Sequence, residues 1–201
     1  MTRSLPVRSS LLTLASGLLL ASPSLAFDES LDGDLSNDPT APTVVDFTPG
    51  SNVVSGSVTT STGDTRDYWT FSIEPGESLV AIDLLVYEDL PGGGPGDPGF
   101  YTIAFGTTSA IPGSATASAF LGGDLIDSGD VGADVLLTLA GAPLAGTGFV
   151  PPLGVGDYTF HIQQTGPEIS GYAFDFVVVP EPGTALLLGL GLAGLGVTRR
   201  R

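Results

Sequence analysis

Asp67-Tyr68-Trp69-Thr70-Phe71-Ser72-Ile73 sets Trp69, Phe71 and Ile73 on one side of an extended chain and Tyr68, Thr70 and Ser72 on the other. A period of two in aromatic and β-branched residues predicts a strand with one face in a core. Trp69 is its expected anchor, because the residues two and four further on are also apolar. Glu74-Pro75-Gly76-Glu77 then supplies turn chemistry.

The same rhythm runs outward in both directions. It starts at Val53 and returns in Tyr101, Ile103 and Phe105, in Asp134 to Leu139, in Asp157 to Gln163 and in Gly171 to Val179, which puts Tyr172, Phe174, Phe176 and Val178 on one face. Leu79 to Tyr87 is more continuously apolar, which predicts a central strand covered on both faces. Gly92 to Gly99 is too rich in Gly and Pro for regular structure and reads as a surface loop, while residues 107–134 carry weak periodicity. No helix of ten or more residues is legible in the body. Roughly seven or eight short strands predict an all-β fold, an antiparallel β-sandwich of jelly-roll or Greek-key type, with a closed barrel as the structural alternative.

The two ends read differently. Arg3 and Arg8 precede an apolar run from Leu11 to Leu20, and Ser24-Leu25-Ala26 offers the small residues that a signal peptidase accepts, so cleavage after Ala26 is expected. That run is about ten residues, half the length that spans a bilayer. At the other end Ala185 to Val197 carries six leucines and is followed by Arg199, Arg200 and Arg201. Its insertion is favourable but modest, and the arginines stay cytoplasmic by the positive-inside rule. The chain thus divides into a signal helix over 1–26, an acidic leading arm over 27–50, a sandwich over 51–179, and a tail over 180–201 with a single transmembrane helix at 184–198.

Between the ends the charge is one-sided. All 22 carboxylates lie from Asp28 to Glu181, against Arg66 as the single basic residue, so this body has a formal charge of −21 and no lysine. DNA, RNA and anionic lipid are excluded as partners, because like charges would meet without compensating cations. The chain has no cysteine, which removes disulfides, thiolate metal sites and cysteine nucleophiles.

The tail Pro180-Glu181-Pro182, then an apolar segment, then Arg199-Arg200-Arg201, resembles the PEP-CTERM sorting signal of Gram-negative bacteria. The prolines deny the segment backbone donors and hold it extended, as a substrate in a processing cleft must be. The resemblance implies export by the secretion machinery and an intermediate anchored in the inner membrane through the C-terminal helix. It further implies cutting near the triplet by an exosortase, and release to the cell envelope or outside the cell, with exopolysaccharide as a further partner. A second likeness covers Gly50 to Val58, Asp64, Arg66 to Phe71, Pro75-Gly76 and Gly156 to Phe160. These are similar to pre-peptidase C-terminal β-sandwich domains; in many tail-bearing proteins a similar sandwich is preceded by an Asp-Gly-Asp-Leu-Ser segment, here Asp32 to Ser36. Such domains accompany proteases without catalysing anything.

Candidate chemistry in the body is thin. The only histidine is His161, and the alternation of Tyr158, Phe160 and Ile162 points it toward solvent; no Gly-x-Ser-x-Gly elbow accompanies it, so a serine-hydrolase triad is not expected. Paired carboxylates of a glycosidase have no obvious frame. No cofactor is required. Calcium is the chemical alternative: Asp28, Glu29, Asp32, Asp34 and Asp38 fall close together, and Asp124, Asp127, Asp130 and Asp134 form a second acidic loop, though neither matches EF-hand spacing. Asp is equally the residue of turns, where its side chain bonds nearby backbone. Carbohydrate binding would want exposed aromatics, for which Tyr68, Tyr87 and Tyr101 are the candidates. The expected function is a noncatalytic envelope or matrix protein with an adhesive or structural role. The alternatives are a calcium- or carbohydrate-binding module and a cryptic secreted hydrolase.

Overall fold

The computed structural model describes residues 24–60, 63–90, 98–113, 117–166, 169–181 and 183. The N-terminal part of the signal segment, Pro182 and the tail from 184 to 201 lie outside them, as does most of the 92–99 loop.

The described elements are, in order, β1 (Ser24–Asp28), α1 (Glu29–Asp32), β2 (Thr43–Val44), β3 (Gly50–Thr59), β4 (Arg66–Ile73), β5 (Glu77–Asp89), β6 (Gly99–Phe105), β7 (Gly122–Ile126), α2 (Val135–Ala140), β8 (Gly156–Gln164) and β9 (Ile169–Pro180). The protein is all-β, built of two sheets. One runs β1-β3-β9-β5 and the other β2-β4-β8-β6-β7. The last two described strands therefore lie inside the two sheets, β9 between β3 and β5, and β8 between β4 and β6.

The core forms where these inner strands face one another. Trp69 on β4 is fully buried, and its ring lies 4.9 Å from Phe160 on β8 and, edge-on, 5.9 Å from Phe176 on β9. Phe160 meets Phe174 edge-to-face at 5.1 Å. Such pairs add to the area that aromatic rings remove from water. The alternation of Trp69, Phe71 and Ile73 into this core is as the period of two predicts.

Four readings change. The leading arm is not an irregular prelude: Phe27 and Asp28 end β1, which pairs parallel with β3, β2 pairs parallel with β4, and Leu35 and Val45 are buried, so the arm contributes to an edge of each sheet. Asp134 to Leu139 is a helix. The Asp134 carboxylate accepts the N–H of Leu136 as an N-cap, and also that of Ile82 on β5, which a strand could not arrange. The segment Leu79 to Tyr87 lies in an edge strand, not a central one. Its free edge is met in part by loop backbone, Leu79 exchanging hydrogen bonds with Leu153 and Leu84 pairing with Gly132 and Ala133, while Leu85 and Val86 stay exposed. Finally, His161 is buried, as the next subsection describes.

The expected cleavage point falls within β1. Ser24 and Leu25 are exposed there, whereas Phe27, just beyond Ala26, packs against the core. Among the described residues no helix is long and apolar enough to cross a membrane. The transmembrane segment expected at 184–198 is not among them.

Candidate functional site

Two sites stand out, a carboxylate cluster where the two sheets meet the leading arm, and the junction between β9 and the tail.

The cluster begins with Glu29. Its position in α1, directly after β1, sends its side chain over β3, where Oε2 accepts the N–H of Ser57 at 2.8 Å and Oε1 that of Leu35 at 3.1 Å. Gly56 makes the approach possible: a Cβ there would lie 2.5 Å from the Glu29 carboxylate and 2.6 Å from the Tyr172 hydroxyl. Asp67, from β4 in the opposite sheet, is fully buried, and one of its oxygens accepts the Tyr172 hydroxyl at 2.7 Å. Its other oxygen, Oδ1, is buried without a hydrogen-bond partner, as is Oδ1 of Asp64. Asp34 comes in from the exposed arm, and ligand atoms of Glu29, Asp34 and Asp67 lie within 4.8 Å of one another.

Burial and mutual repulsion act together on these groups. Asp67 is pushed up to about 9, mainly by burial and then by the charge of Glu29; Glu29 rises to about 7 by burial, and Asp64 to about 6 by burial and then Asp34. No cation offsets them among the described residues. Arg66, adjacent to Asp67 in sequence, aims its guanidinium at Gln163 and Thr65.

Of the four aspartates expected to bind calcium, the structure brings only Asp34 into this cluster. Asp28 caps α1 through the N–H and hydroxyl of Ser30, Asp32 accepts the Asp28 N–H, and Asp38 closes a turn on Thr40. The second acidic loop is likewise occupied with backbone. Asp127 and Asp130 form a capping box, Asp134 caps α2, and Asp124 accepts the N–H of Leu125. Asp67 had no local signal for such a role, since its partners come from a different sheet and from residues more than thirty positions earlier in the chain.

The other candidates are corrected by burial. His161 is fully buried on the opposite face of β8, its ring stacked on Tyr68 at 4.5 Å, with Nδ1 3.4 Å from the Thr102 hydroxyl and Nε2 unpartnered. Burial, and then the charge of Arg66, push it down to about 3, so it stays neutral. Tyr68, Tyr87 and Tyr101 are each buried as well and offer no exposed platform for a sugar ring.

At the second site β9 carries straight into the sorting triplet. Pro180 pairs with Glu77 of β5, and the Glu181 N–H donates to the Gly76 carbonyl at 2.8 Å. Beyond Val178 the strand has lost its β3 neighbour, because that pairing ends at Gly50. The triplet thus starts flush with the fold, held from one side only.

The profile of the PEP-CTERM protein-sorting motif matches residues 178–201, so the chain carries this sorting signal, with export and a membrane-anchored intermediate in bacteria as its consequence. The match covers the last residues of β9 and the tail and extends no further into the sandwich. Comparison with curated proteins gives no match.

Proposed function

We propose that this protein is a noncatalytic component of the bacterial cell envelope or extracellular matrix, delivered by exosortase processing and acting there in adhesion or matrix structure. The observation that carries the reading is the sorting motif at residues 178–201, continuous with the inner strand β9 of a strongly acidic sandwich. In this account Ala26 is the signal-cleavage residue, residues 184–198 form the single helix that holds the intermediate in the inner membrane, and Arg199 to Arg201 fix its orientation. The sandwich is of jelly-roll or Greek-key type, in keeping with its likeness to pre-peptidase C-terminal domains.

Two features favour a noncatalytic body over a hydrolase. The single histidine is fully buried and held down to about 3, which makes it a weak base. The raised carboxylates belong to an inter-sheet cluster in which two of the four, Glu29 and Asp67, are already held by hydrogen bonds. Fractionation of a strain that makes the protein, beside its deletion mutant, tests the role. The expected result is protein in the envelope or matrix fraction and weakened cell–matrix cohesion on deletion; retention in the inner membrane with unchanged cohesion would refute it.

A further inference from the structure

We infer that the carboxylates of Glu29, Asp34 and Asp67 form a calcium site that ties the leading arm to both sheets. Their ligand atoms lie within 4.8 Å of one another, the separation that oxygens occupy across one ion at Ca²⁺–O distances of about 2.3–2.6 Å. Acidic residues alone would not suffice, since they are common on this chain. The independent observation is Asp67, which has no exposed surface, keeps Oδ1 unpartnered and belongs to the same triad of ligand atoms. A buried carboxylate oxygen without a donor is a costly arrangement unless a proton or a cation completes it. The chain has no lysine, and its one body arginine points elsewhere.

The remaining parts of a metal site are also in place. Tyr172 donates to the other oxygen of Asp67 and orients it, and the N–H groups of Leu35 and Ser57 orient Glu29, as outer partners do at metal centres. Asp34 is exposed and gives the ion an entry path. Asp64, beside Asp67, adds a further carboxylate at the rim. Oxygen-only ligands select a hard cation, and water can fill the rest of a calcium shell of six to eight. The site joins β4 in one sheet to α1 and the arm beside β3 in the other.

The test uses the full-length chain, stripped with chelator in mild detergent, titrated with Ca²⁺ by calorimetry and followed by thermal melting. The site predicts saturable heat with Kd of about 10⁻³ M or tighter, together with a rise in Tm. Asp34→Asn, at an exposed position that leaves folding intact, should weaken binding about tenfold or more, because ligand charge sets affinity in such sites. Asp127→Asn, in the capping loop, should leave it unchanged. Absence of heat and of a Tm shift up to about 10 mM Ca²⁺ would overturn the site. So would wild-type affinity in Asp34→Asn, or an equal response to Mg²⁺, which would reduce the effect to general screening of the acidic surface.

Discussion

The hydroxyl of Tyr172 on β9 donates a 2.7 Å hydrogen bond to the carboxylate of Asp67 on β4, joining the two sheets through a buried polar contact at the edge of an aromatic core. The ring of Tyr172 also lies parallel to that of Trp69, 6.2 Å away. One residue therefore serves both the apolar core and the carboxylate cluster.

Tyr172→Phe keeps the ring and removes the donor, leaving both Asp67 oxygens without a hydrogen-bond partner. The expected loss is about 1–3 kcal/mol, the cost of an unsatisfied buried acceptor. Urea unfolding of the chelated protein measures it as a lower midpoint at unchanged slope.

Gly56→Ala drives a methyl group into the Glu29 carboxylate and the Tyr172 hydroxyl. The variant should lose about 1–3 kcal/mol, as overpacked sites do. In the background of Glu29→Ala, which vacates the space, the same substitution should cost measurably less, so a double-mutant cycle shows coupling of about 0.5 kcal/mol or more.

The pH dependence has a definite sign. Glu29, Asp64 and Asp67 titrate higher in the folded chain than the ordinary carboxylate range, at about 7, 6 and 9. The folded state thus holds protons that the unfolded state has released, and their stabilisation, fully present below pH 4, is lost as pH rises through 6 to 9. His161 acts oppositely: its folded value of about 3 lies below the usual 6.5, so its contribution is lost as pH falls from 6.5 toward 3. The metal-free protein should accordingly melt higher at pH 5 than at pH 8. In His161→Gln, which lacks the opposing group, that difference should widen; a profile that falls on acidification through this range would contradict the assignment.

The strands were legible wherever local alternation and core burial coincide, as at Trp69, Phe71 and Ile73. His161 shows the limit of that rule. Alternation correctly turns it away from Phe160, but the outward face of β8 is itself buried, a matter of what lies across it and not of its neighbours in sequence. The helix α2 is too short to display a period of 3.6, and its one local sign was Asp134 as a cap. The demotion of Leu79 to Tyr87 to an edge strand depends on distant loop residues such as Leu153. The carboxylate cluster was half visible: Asp34 and Glu29 sit in a conspicuously acidic arm, while Asp67 joins them only through the packing of β4 beneath it. The sorting tail needed no fold at all, because its recognition is linear.

We hold the segment from Pro180 to Arg201 to be a disposable address. Intact-mass and C-terminal peptide spectrometry of the protein, from a host with its exosortase and from one without, tests that claim directly. The expected result is loss of the apolar segment and of Arg199 to Arg201 only where the exosortase is present; a mature protein that still carries Arg201 in that host would overturn the assignment.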